Sequence, residues 1–347
     1  MAKHHYNCIF IGPSSSIVTG QSFSFKITSF HFGNSLIVGY SSGIVESFIF
    51  IYRLIIKRFS VISSCIYLTP SRSFFGSFRD FLVILLFRSL VERIVFHIHG
   101  NDLYSFLEKN AIARFFYSYV DRFILLDKEA PIHPSISAKD FFYIDNFVDK
   151  QLISCDVYKE TYSEQLVISY YSNLMIEKGI CIFLDAAYQL LISNANIRFY
   201  VAGAIIGTKK EKDKINRKLE KLASFKNFRF FGSLHSTHEK VQFLASSDVV
   251  ILPTFYPIEA QPISLIEALS FGSYIVSTNQ GYIESLLDNF YHSILSEVSV
   301  DSLILEINSI LELSKSDLRF FSKYNKRLAL SRFSLDKYFS SIKQVIS

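Results

Sequence analysis

A segment in the second half of the chain combines two carboxylates with the predicted start of a helix. It reads Glu259-Ala-Gln-Pro-Ile-Ser-Leu-Ile-Glu267 and follows a short apolar run that stops at Pro253. We place the first helical residue at Pro262, because proline has no N–H to lose at that position. The N–H groups of Ile263 and Ser264 then point out of the helix start, where they suit an anion such as a diphosphate.

Two acidic residues and a lysine extend this anion-binding hypothesis. Glu267 lies about one turn into the helix, where a carboxylate can accept hydrogen bonds from two ribose hydroxyls. Glu259, on the loop, would then lie near the other end of the diphosphate. Lys178, in Asn173-Leu-Met-Ile-Glu-Lys-Gly179, follows a predicted strand and can neutralise a leaving phosphate as a point charge. The alternative is a capped surface helix with two unrelated glutamates, and the residues alone leave both open.

The segments that must position these side chains alternate between strand and helix signals. This alternation predicts an α/β protein with parallel, doubly wound sheets, in which ligands bind at the carboxyl ends of the strands. The predicted strands are 7–11, 94–99, 122–126, 166–170, 197–202, 228–231, 248–252 and 274–277, and the predicted helices include 180–191, 209–224, 239–246, 262–271 and 331–346.

The length of 347 residues exceeds what one typical core needs and suits two domains. The chain turns polar between residues 146 and 163, where we place the junction. We predict a first domain over 1–150, a second over 151–330, and a terminal helix over 331–347 that packs on the first domain. Two such domains in tandem would face a central cleft.

The composition raises the question of a membrane span, since half of the residues are hydrophobic and the mean hydropathy is +0.26. No run approaches the roughly 20 apolar residues that a spanning helix needs. Residues 27–45 lack charge but contain Ser, Thr, Gly, His and Asn, so we interpret them as a strand with surface loops. The first apolar run is too short for a signal peptide, and four scattered cysteines indicate reduced thiols. We therefore expect a cytoplasmic protein without a disulfide framework or a zinc site.

Residues 45–95 place basic side chains among apolar ones, which leaves two interpretations open. One is an amphipathic surface that touches anionic lipid at the cytoplasmic face of a membrane. The other is a set of ordinary solvated helix faces. No nucleic-acid-binding motif is present. The cations are Arg53, Lys57, Arg58, Arg72, Arg79, Arg88 and Arg93, against Glu46, Asp80 and Glu92.

The order of short motifs resembles glycosyltransferase family 4, in its bacterial surface-polysaccharide type. The resemblance is strong over 166–290 and weak before residue 90. It implies a GT-B fold, with an acceptor-side Rossmann-like domain first, a nucleotide-sugar-binding one second, and a last helix that crosses back to the first domain. Pro262 stands where the family usually has Gly, and Asn173 where it typically has Arg. The motifs are Lys178-Gly179, Ala202-Gly203, Phe231-Gly232, Asp248–Pro253, Glu259 with Glu267-Ala-Leu, Gly272, and Gly281 with Glu284.

The resemblance also implies roles for single residues. His99, in His97-Ile-His-Gly, matches the active-site histidine that faces the donor sugar, whereas we interpret His97 as structural. Gly20 matches the glycine of the first loop, although an ordinary turn glycine is the alternative. Asn173 and Gln261 complete the expected donor-binding set. His99, Glu259 and Lys178 form the expected catalytic set.

The implied reaction moves a sugar, with retention, from a nucleoside-diphosphate sugar to a hydroxyl of a glycan or polyprenyl-diphosphate-linked glycan. O-antigen, lipopolysaccharide or capsule biosynthesis is the expected setting. No Asp-x-Asp is present, so we expect no metal and no other cofactor. Glu259 is expected to contact the sugar and not to act as a covalent nucleophile. The alternatives are a nucleotide-sugar epimerase of the same architecture and an inactive nucleotide-sugar-binding subunit.

Overall fold

The structure, a computed structural model, describes residues 4–13, 20–40, 44–71, 74–154, 165–193 and 196–347. The chain divides into two compact units. Unit 1 contains Met1–Asn146 together with Asp336–Ser347, and unit 2 contains Phe147–Leu335. The division between the units therefore falls at the start of the polar stretch. Arg72, Cys155 and the second half of the stretch between 146 and 163 lie outside the described residues.

Unit 1 is built on a six-stranded parallel sheet in the order β2-β1-β3-β4-β5-β6. Its inner strands are apolar on both faces, as expected for a parallel sheet covered by helices. The strands are β1 His4–Pro13, β2 Ser35–Tyr40, β3 Val61–Leu68, β4 Arg93–His97, β5 Arg122–Leu125 and β6 Asp140–Tyr143. The helices that follow them are α1 Gly20–His31, α2 Ile44–Ser60, α3 Phe74–Phe87, α4 Leu103–Lys109 and α5 Ala111–Tyr117.

Unit 2 is built on a second six-stranded parallel sheet, in the order β12-β11-β10-β7-β8-β9. The strands are β7 Leu166–Tyr171, β8 Ile197–Ala202, β9 Phe228–Phe230, β10 Val249–Leu252, β11 Tyr274–Thr278 and β12 His292–Leu295. The helices are α6 Lys150–Ile153, α7 Ile180–Ile192, α8 Lys209–Leu222, α9 Thr237–Ser246, α10 Ile263–Ser270, α11 Ile283–Leu287, α12 Val300–Leu311 and α13 Lys315–Arg332. The predicted class of two doubly wound parallel sheets is confirmed.

The last helix, α14 (Leu335–Ile346), belongs to unit 1 apart from its first residue. Its Phe339 ring stacks on His31 of α1, with ring centroids 3.4 Å apart. At its end, Arg122 donates to the carbonyl of Val345 at 2.6 Å. Helix α14 thus follows unit 2 along the chain but packs within unit 1.

The structure moves four predicted element boundaries. The predicted strand over 27–45 is wrong at its start, because residues 27–31 end α1 and the strand covers only Ser35–Tyr40. Helix α1 lacks an apolar stripe because it buries small polar residues instead, among them Ser24 and Thr28. The helix predicted over 331–346 is two helices, since α13 runs to Arg332 and α14 begins at Leu335.

Pro262 was predicted as the first helical residue, and that prediction is wrong. Its ψ of 116° is extended, so Pro262 caps the helix and Ile263 is the first residue inside it. The strand predicted to end at His99 ends at His97, which leaves His99 two residues beyond the sheet. Within the described residues, no helix combines the length and apolarity that crossing a membrane requires.

Candidate active site

An ion pair joins two of the predicted catalytic residues of unit 2. The ammonium Nζ of Lys178 lies 3.0 Å from Oε2 of Glu259, and both side chains are largely buried. The hydroxyl of Thr254 donates to the same carboxylate oxygen at 3.4 Å. Since a buried ion pair holds both partners firmly in place, Lys178 presents a fixed positive charge at the end of β7 and β10.

Two glycines allow the segments that carry this ion pair to approach one another. Gly179 has a φ of +76°, and a Cβ there would lie 2.1 Å from the carbonyl oxygen of Pro253. Gly281 has a φ of +62°, and a Cβ there would lie 2.0 Å from the carbonyl oxygen of Glu259. Any larger residue would force the chain apart at both places. These glycines of the family-like pattern therefore have a steric role in the site.

A tyrosine beneath the lysine segment fixes its backbone. The hydroxyl of Tyr170 donates towards the carbonyls of Asn173 and Lys178, at 3.2 and 3.1 Å. Burial raises the pKa of Tyr170 well above its usual value, with Glu259 adding to the effect, so the phenol keeps its proton. The loop from Asn173 to Lys178 is thereby tied to the core of unit 2.

The start of α10 offers two backbone donors. The N–H of Leu265 already donates to the carbonyl of Pro262 at 3.1 Å, and proline itself has no N–H. In the part of the chain that the structure describes, no side chain caps this helix start. The N–H groups of Ile263 and Ser264 are the first two of the helix, and the helix dipole adds partial positive charge there.

Glu267 lies on the same helix, in a more enclosed setting than the sequence indicated. The side chain is 5% exposed, and the Tyr171 hydroxyl donates to its Oε2 at 2.7 Å. The ammonium of Lys240 lies 3.6 Å from the other carboxylate oxygen, Oε1. Burial raises the pKa of Glu267, and Lys240 and Tyr171 oppose that rise. The carboxylate is thus oriented by two groups that the sequence analysis did not name.

The remaining predicted donor-binding residues of unit 2 lie close by in the chain. Asn173 lies two residues after the end of β7, is half-buried, and stands five residues before Lys178. Gln261 is buried between Ala260 and the cap of α10. Unit 2 therefore gathers Asn173, Lys178, Glu259, Gln261 and the start of α10 at the carboxyl ends of its central strands.

In unit 1, His97 and His99 stand at the carboxyl end of β4. Their ring centroids are 4.0 Å apart, and His97 is fully buried while His99 is half-buried. Burial lowers the pKa of His97 well below its usual value, and the nearby His99 lowers it further. His97 is therefore neutral at physiological pH. Gly20 is exposed and is the first residue of α1, so it begins a helix and does not lie in the middle of a loop.

A chain of buried groups, which we call the unit 1 relay, leads from His97 to the last helix. The Tyr67 hydroxyl contacts Nδ1 of His97 through a short hydrogen bond, and Tyr67 also bonds to Tyr338. The hydroxyl of Tyr338 lies 2.7 Å from that of Thr28. Thr28 in turn donates to the carbonyl of Ser24 at 2.7 Å. Burial holds the phenol protons in place, raising the pKa of Tyr338 to about 12.

The direction of the relay follows from its last hydrogen bond. The proton of Thr28 is committed to the Ser24 carbonyl, so Tyr338 must donate to Thr28. Tyr67 must then donate to Tyr338, which leaves the Nδ1–H of His97 to donate to Tyr67. The network assigns His97 as the Nδ1–H tautomer. Its Nε2 is an acceptor that no hydrogen bond reaches within the described residues.

Sequence reasoning missed Tyr171, Lys240, Tyr67 and Tyr338. Tyr171 is the last residue of β7, and its position at a strand end is the one signal that sequence offered. The others contact the site residues from 27 or more positions away along the chain, or from another helix. Only the fold brings them together.

One protein family matches the chain over most of unit 2. The family model described as glycosyl transferases group 1 matches residues 158–327, which include the ion pair and α10. The search of curated proteins finds no match.

Solved structures resemble the chain over nearly its whole length. HepE from Anabaena, in complex with UDP and glucose, is 13% identical with a TM-score of 0.75, and 99% of each chain is covered. Sucrose-phosphate synthase from Thermosynechococcus elongatus is 10% identical with a TM-score of 0.72, and 98% of each chain is covered. A glycosyltransferase from Rickettsia africae is 15% identical with a TM-score of 0.72, covering 99% of this chain and 98% of its own.

At such identities the structural likeness establishes the fold, which is GT-B, as predicted. The family match covers the segment that contains Lys178, Glu259 and Glu267. The chain has the GT-B fold, and its residues 158–327 match the family model described as glycosyl transferases group 1.

Proposed function

We propose that the chain is a retaining glycosyltransferase that moves a sugar from a nucleoside diphosphate to an acceptor hydroxyl. The observation that carries this proposal is the Lys178–Glu259 ion pair at 3.0 Å inside the glycosyl transferases group 1 domain. It combines a fixed cation with a carboxylate at the carboxyl ends of a parallel sheet, where such sheets bind ligands.

The hard step is the departure of the diphosphate, which develops negative charge as the sugar bond breaks. Lys178 and the N–H groups of Ile263 and Ser264 supply positive potential before the reaction begins, so little reorganisation is needed. Glu267 accepts hydrogen bonds from the ribose hydroxyls, and its bonds from Tyr171 and Lys240 hold it in place. Gln261 and Asn173 complete the donor contacts.

Glu259 has two roles in this mechanism. It holds the Lys178 ammonium, and its carboxylate contacts hydroxyls of the donor sugar. It is not the nucleophile, so retention comes from attack on the face that the diphosphate leaves, with a phosphate oxygen accepting the proton of the acceptor. His99 is the histidine that contacts the donor sugar, and Gly20 lets the backbone of α1 approach donor or acceptor.

We propose that transfer needs no metal and no other cofactor. The support is that Lys178 and the start of α10 supply the positive charge that a divalent cation would otherwise provide. Transfer should survive excess EDTA. Loss of activity that Mg²⁺ restores would refute this part of the proposal.

The acceptor in this proposal is a glycan linked to a polyprenyl diphosphate, and the setting is family 4-type O-antigen, lipopolysaccharide or capsule assembly. The enzyme then works in the cytoplasm, as a peripheral protein at the inner face of the membrane. The support is the combination of basic and exposed apolar side chains on α2, with Arg53 beside Tyr52 and Ile56.

The test is a thermal-shift screen of UDP, GDP, ADP and their sugars, since a bound donor raises the apparent stability. UDP is the first probe, because HepE binds it. The best nucleotide sugar is then incubated with and without acceptor. A changed sugar without acceptor would indicate an epimerase, and binding without any turnover would indicate an inactive binding subunit. Either outcome would overturn the proposal.

A further inference from the structure

Three helices of unit 1 form one layer. Helix α2 connects β2 to β3, α3 connects β3 to β4, and α5, together with α4, connects β4 to β5. Because crossovers between parallel strands are right-handed, α2, α3 and α5 lie on the same face of the sheet. Helix α2 packs on α3, and α3 packs on α5. Arg58 donates to the carbonyl of Leu86, and the ring of Phe81 stacks on Phe116 with centroids 3.6 Å apart. We call the outer side of this layer the α2–α3–α5 surface.

The side chains that this surface turns outward are large and apolar. On α2, Tyr52, Ile56 and Phe59 are 66%, 51% and 68% exposed, while Phe50 and Leu54 on the opposite face are buried. A helix that is apolar on both faces is normally covered on both. The neighbouring helices continue the pattern with Phe78, Leu85 and Phe115. Exposed apolar surface on this scale indicates an interaction site.

A groove opens into the layer between α3 and α5. It has a volume of about 100 Å³, and its walls are mostly apolar, with Phe78, Phe81, Ile84 and Ile112 among them. The groove adds depth to the apolar surface, which suits chains that are thin and flexible. Acyl chains of lipids have this shape.

The charges of the same helices are cationic. Arg79 and Asp80 pair with each other at 2.7 Å inside the layer, where the guanidinium lies over the ring of Tyr40, and so contribute no net charge. The other charged residues on α2, α3 and α5 are one acidic residue, Glu46, and four basic residues, Arg53, Lys57, Arg58 and Arg114. An apolar helix face with Lys and Arg at its border is the pattern of a protein that lies in the headgroup region of an anionic bilayer.

Helix α8 of unit 2 provides a contrast within the same chain. It buries Ile215, Leu219 and Leu222, and its other positions are mostly Lys, Glu, Asp and Arg. That is the usual division for a solvated helix. Helix α2 differs from this division because its outward face, which would be polar in a solvated helix, is apolar. An ordinary solvated face therefore does not explain its sequence.

We propose that the α2–α3–α5 surface docks on an anionic lipid bilayer, with Tyr52, Ile56 and Phe59 inserted among the headgroups. A second copy of the chain fits less well, because two-fold pairing would bring like charges together. The docking itself is inferred from the geometry and charge of the surface. Its purpose, access to a lipid-linked acceptor, rests on the proposed function.

The experiment sediments the full chain with vesicles of phosphatidylcholine, alone or with phosphatidylglycerol. We expect binding that requires phosphatidylglycerol and weakens at high salt. The triple variant Tyr52→Ser, Ile56→Ser, Phe59→Ser should lose about tenfold or more in vesicle binding, and Arg53→Glu should lose less. The control is Tyr324→Ser, Leu305→Ser, Phe320→Ser, which removes three exposed apolar side chains from unit 2 and should bind as the unchanged chain does.

Two further measurements keep the outcomes distinct. Thermal shift with the nucleotide found above shows whether the triple variant is folded and binds donor, so failure of the proposed function is seen separately from failure of docking. Light scattering gives the oligomeric state. Vesicle binding unchanged in the triple variant, or equal with both lipid mixtures, overturns the proposal. A dimer that the triple variant dissociates would assign the surface to a second copy and would overturn it too.

Discussion

In unit 2 the candidate site is built around ionised side chains, whereas in unit 1 it is built around groups that keep their protons. Lys178 and Glu259 attract each other across 3.0 Å, and glycines bring their backbones close. His97, Tyr67 and Tyr338 pass hydrogen bonds from one neutral group to the next. In the proposed mechanism the first arrangement supplies charge to a leaving group, whereas the second fixes the orientation and tautomer of an imidazole.

Removing the cation of unit 2 should have the largest effect. Lys178→Ala should reduce turnover about 10²- to 10³-fold, because one preorganised charge at the departing diphosphate is lost. The variant also leaves the Glu259 carboxylate buried without its ion-pair partner, so the melting temperature should fall. Donor consumption and thermal unfolding measure the two effects.

A second substitution separates those effects. Adding Glu259→Gln to Lys178→Ala should restore the melting temperature but not turnover. The control is Lys218→Ala, which removes a lysine paired with Asp185 elsewhere in unit 2 and should keep turnover. Near-normal turnover in Lys178→Ala would contradict the assigned role.

The next effect comes from the close approach beside the lysine. Gly179→Ala places a Cβ 2.1 Å from the Pro253 carbonyl oxygen at a φ of +76°. We expect a loss of about 3 kcal/mol in the free energy of unfolding, from the left-handed conformation and the displaced backbone. Denaturant unfolding measures it. Gly33→Ala, where a Cβ meets nothing within 4 Å, is the matched control. Equal stability of the two variants would be the contrary result.

Breaking the unit 1 relay should cost less. Tyr338→Phe removes the acceptor of the Tyr67 hydroxyl, and we expect the free energy of unfolding to fall by about 1–2 kcal/mol. Tyr67 is then free to donate to Nδ1 of His97, which moves the imidazole proton to Nε2. Imidazole ¹⁵N chemical shifts should show the Nδ1–H tautomer in the unchanged chain. The exposed phenol in Tyr324→Phe is the control, and an Nε2–H tautomer in the unchanged chain would disprove the assigned direction.

The smallest effect is a gain in stability. The pKa of Glu267 is raised by burial, so its contribution to stability is fully present below the unfolded pKa of about 4.3 and is lost as pH rises through the folded pKa. Glu267→Gln removes that loss. Its melting temperature should exceed that of the unchanged chain at pH 8 and not at pH 4, while nucleotide binding weakens. If the two chains differed in melting temperature by the same amount at pH 4 and pH 8, the raised pKa of Glu267 would not contribute to the pH dependence of stability.

His97 should show the opposite dependence on pH. Its pKa is lowered, so the stability that depends on the neutral ring is present above the unfolded pKa of about 6.5 and is lost as pH falls below it. The two buried groups thus change the free energy of unfolding in opposite directions. Glu267 lowers it as the pH rises, and His97 lowers it as the pH falls.

The sequence predicted much of unit 2 because its signals are local. Alternating strands and helices, Gly179 after Lys178, and Glu259 eight positions before Glu267 are visible along the chain. Pro262 was misplaced by one position because proline suits both the cap and the first turn, and only its ψ of 116° distinguishes them. Local pattern therefore located the start of α10 to within one residue.

The relay of unit 1 could not be predicted in this way. Thr28, Tyr67, His97 and Tyr338 come from four separate elements, and the contact of Thr28 with Tyr338 spans 310 positions. Helix α1 was missed because its buried face is mostly serine and threonine, and the hydroxyls of Thr28 and Ser29 donate to carbonyls of the same helix. A neutral network leaves no charge pattern and no apolar periodicity, so it becomes visible only in the folded chain.

The position of α14 has a consequence for how the molecule is made. Unit 1 begins before unit 2 along the chain, yet it needs Tyr338 and the Val345 carbonyl from α14, which follows unit 2. All the residues of unit 2 emerge while unit 1 still lacks α14. We therefore expect unit 1 to finish folding second, only after all of unit 2 has been synthesised.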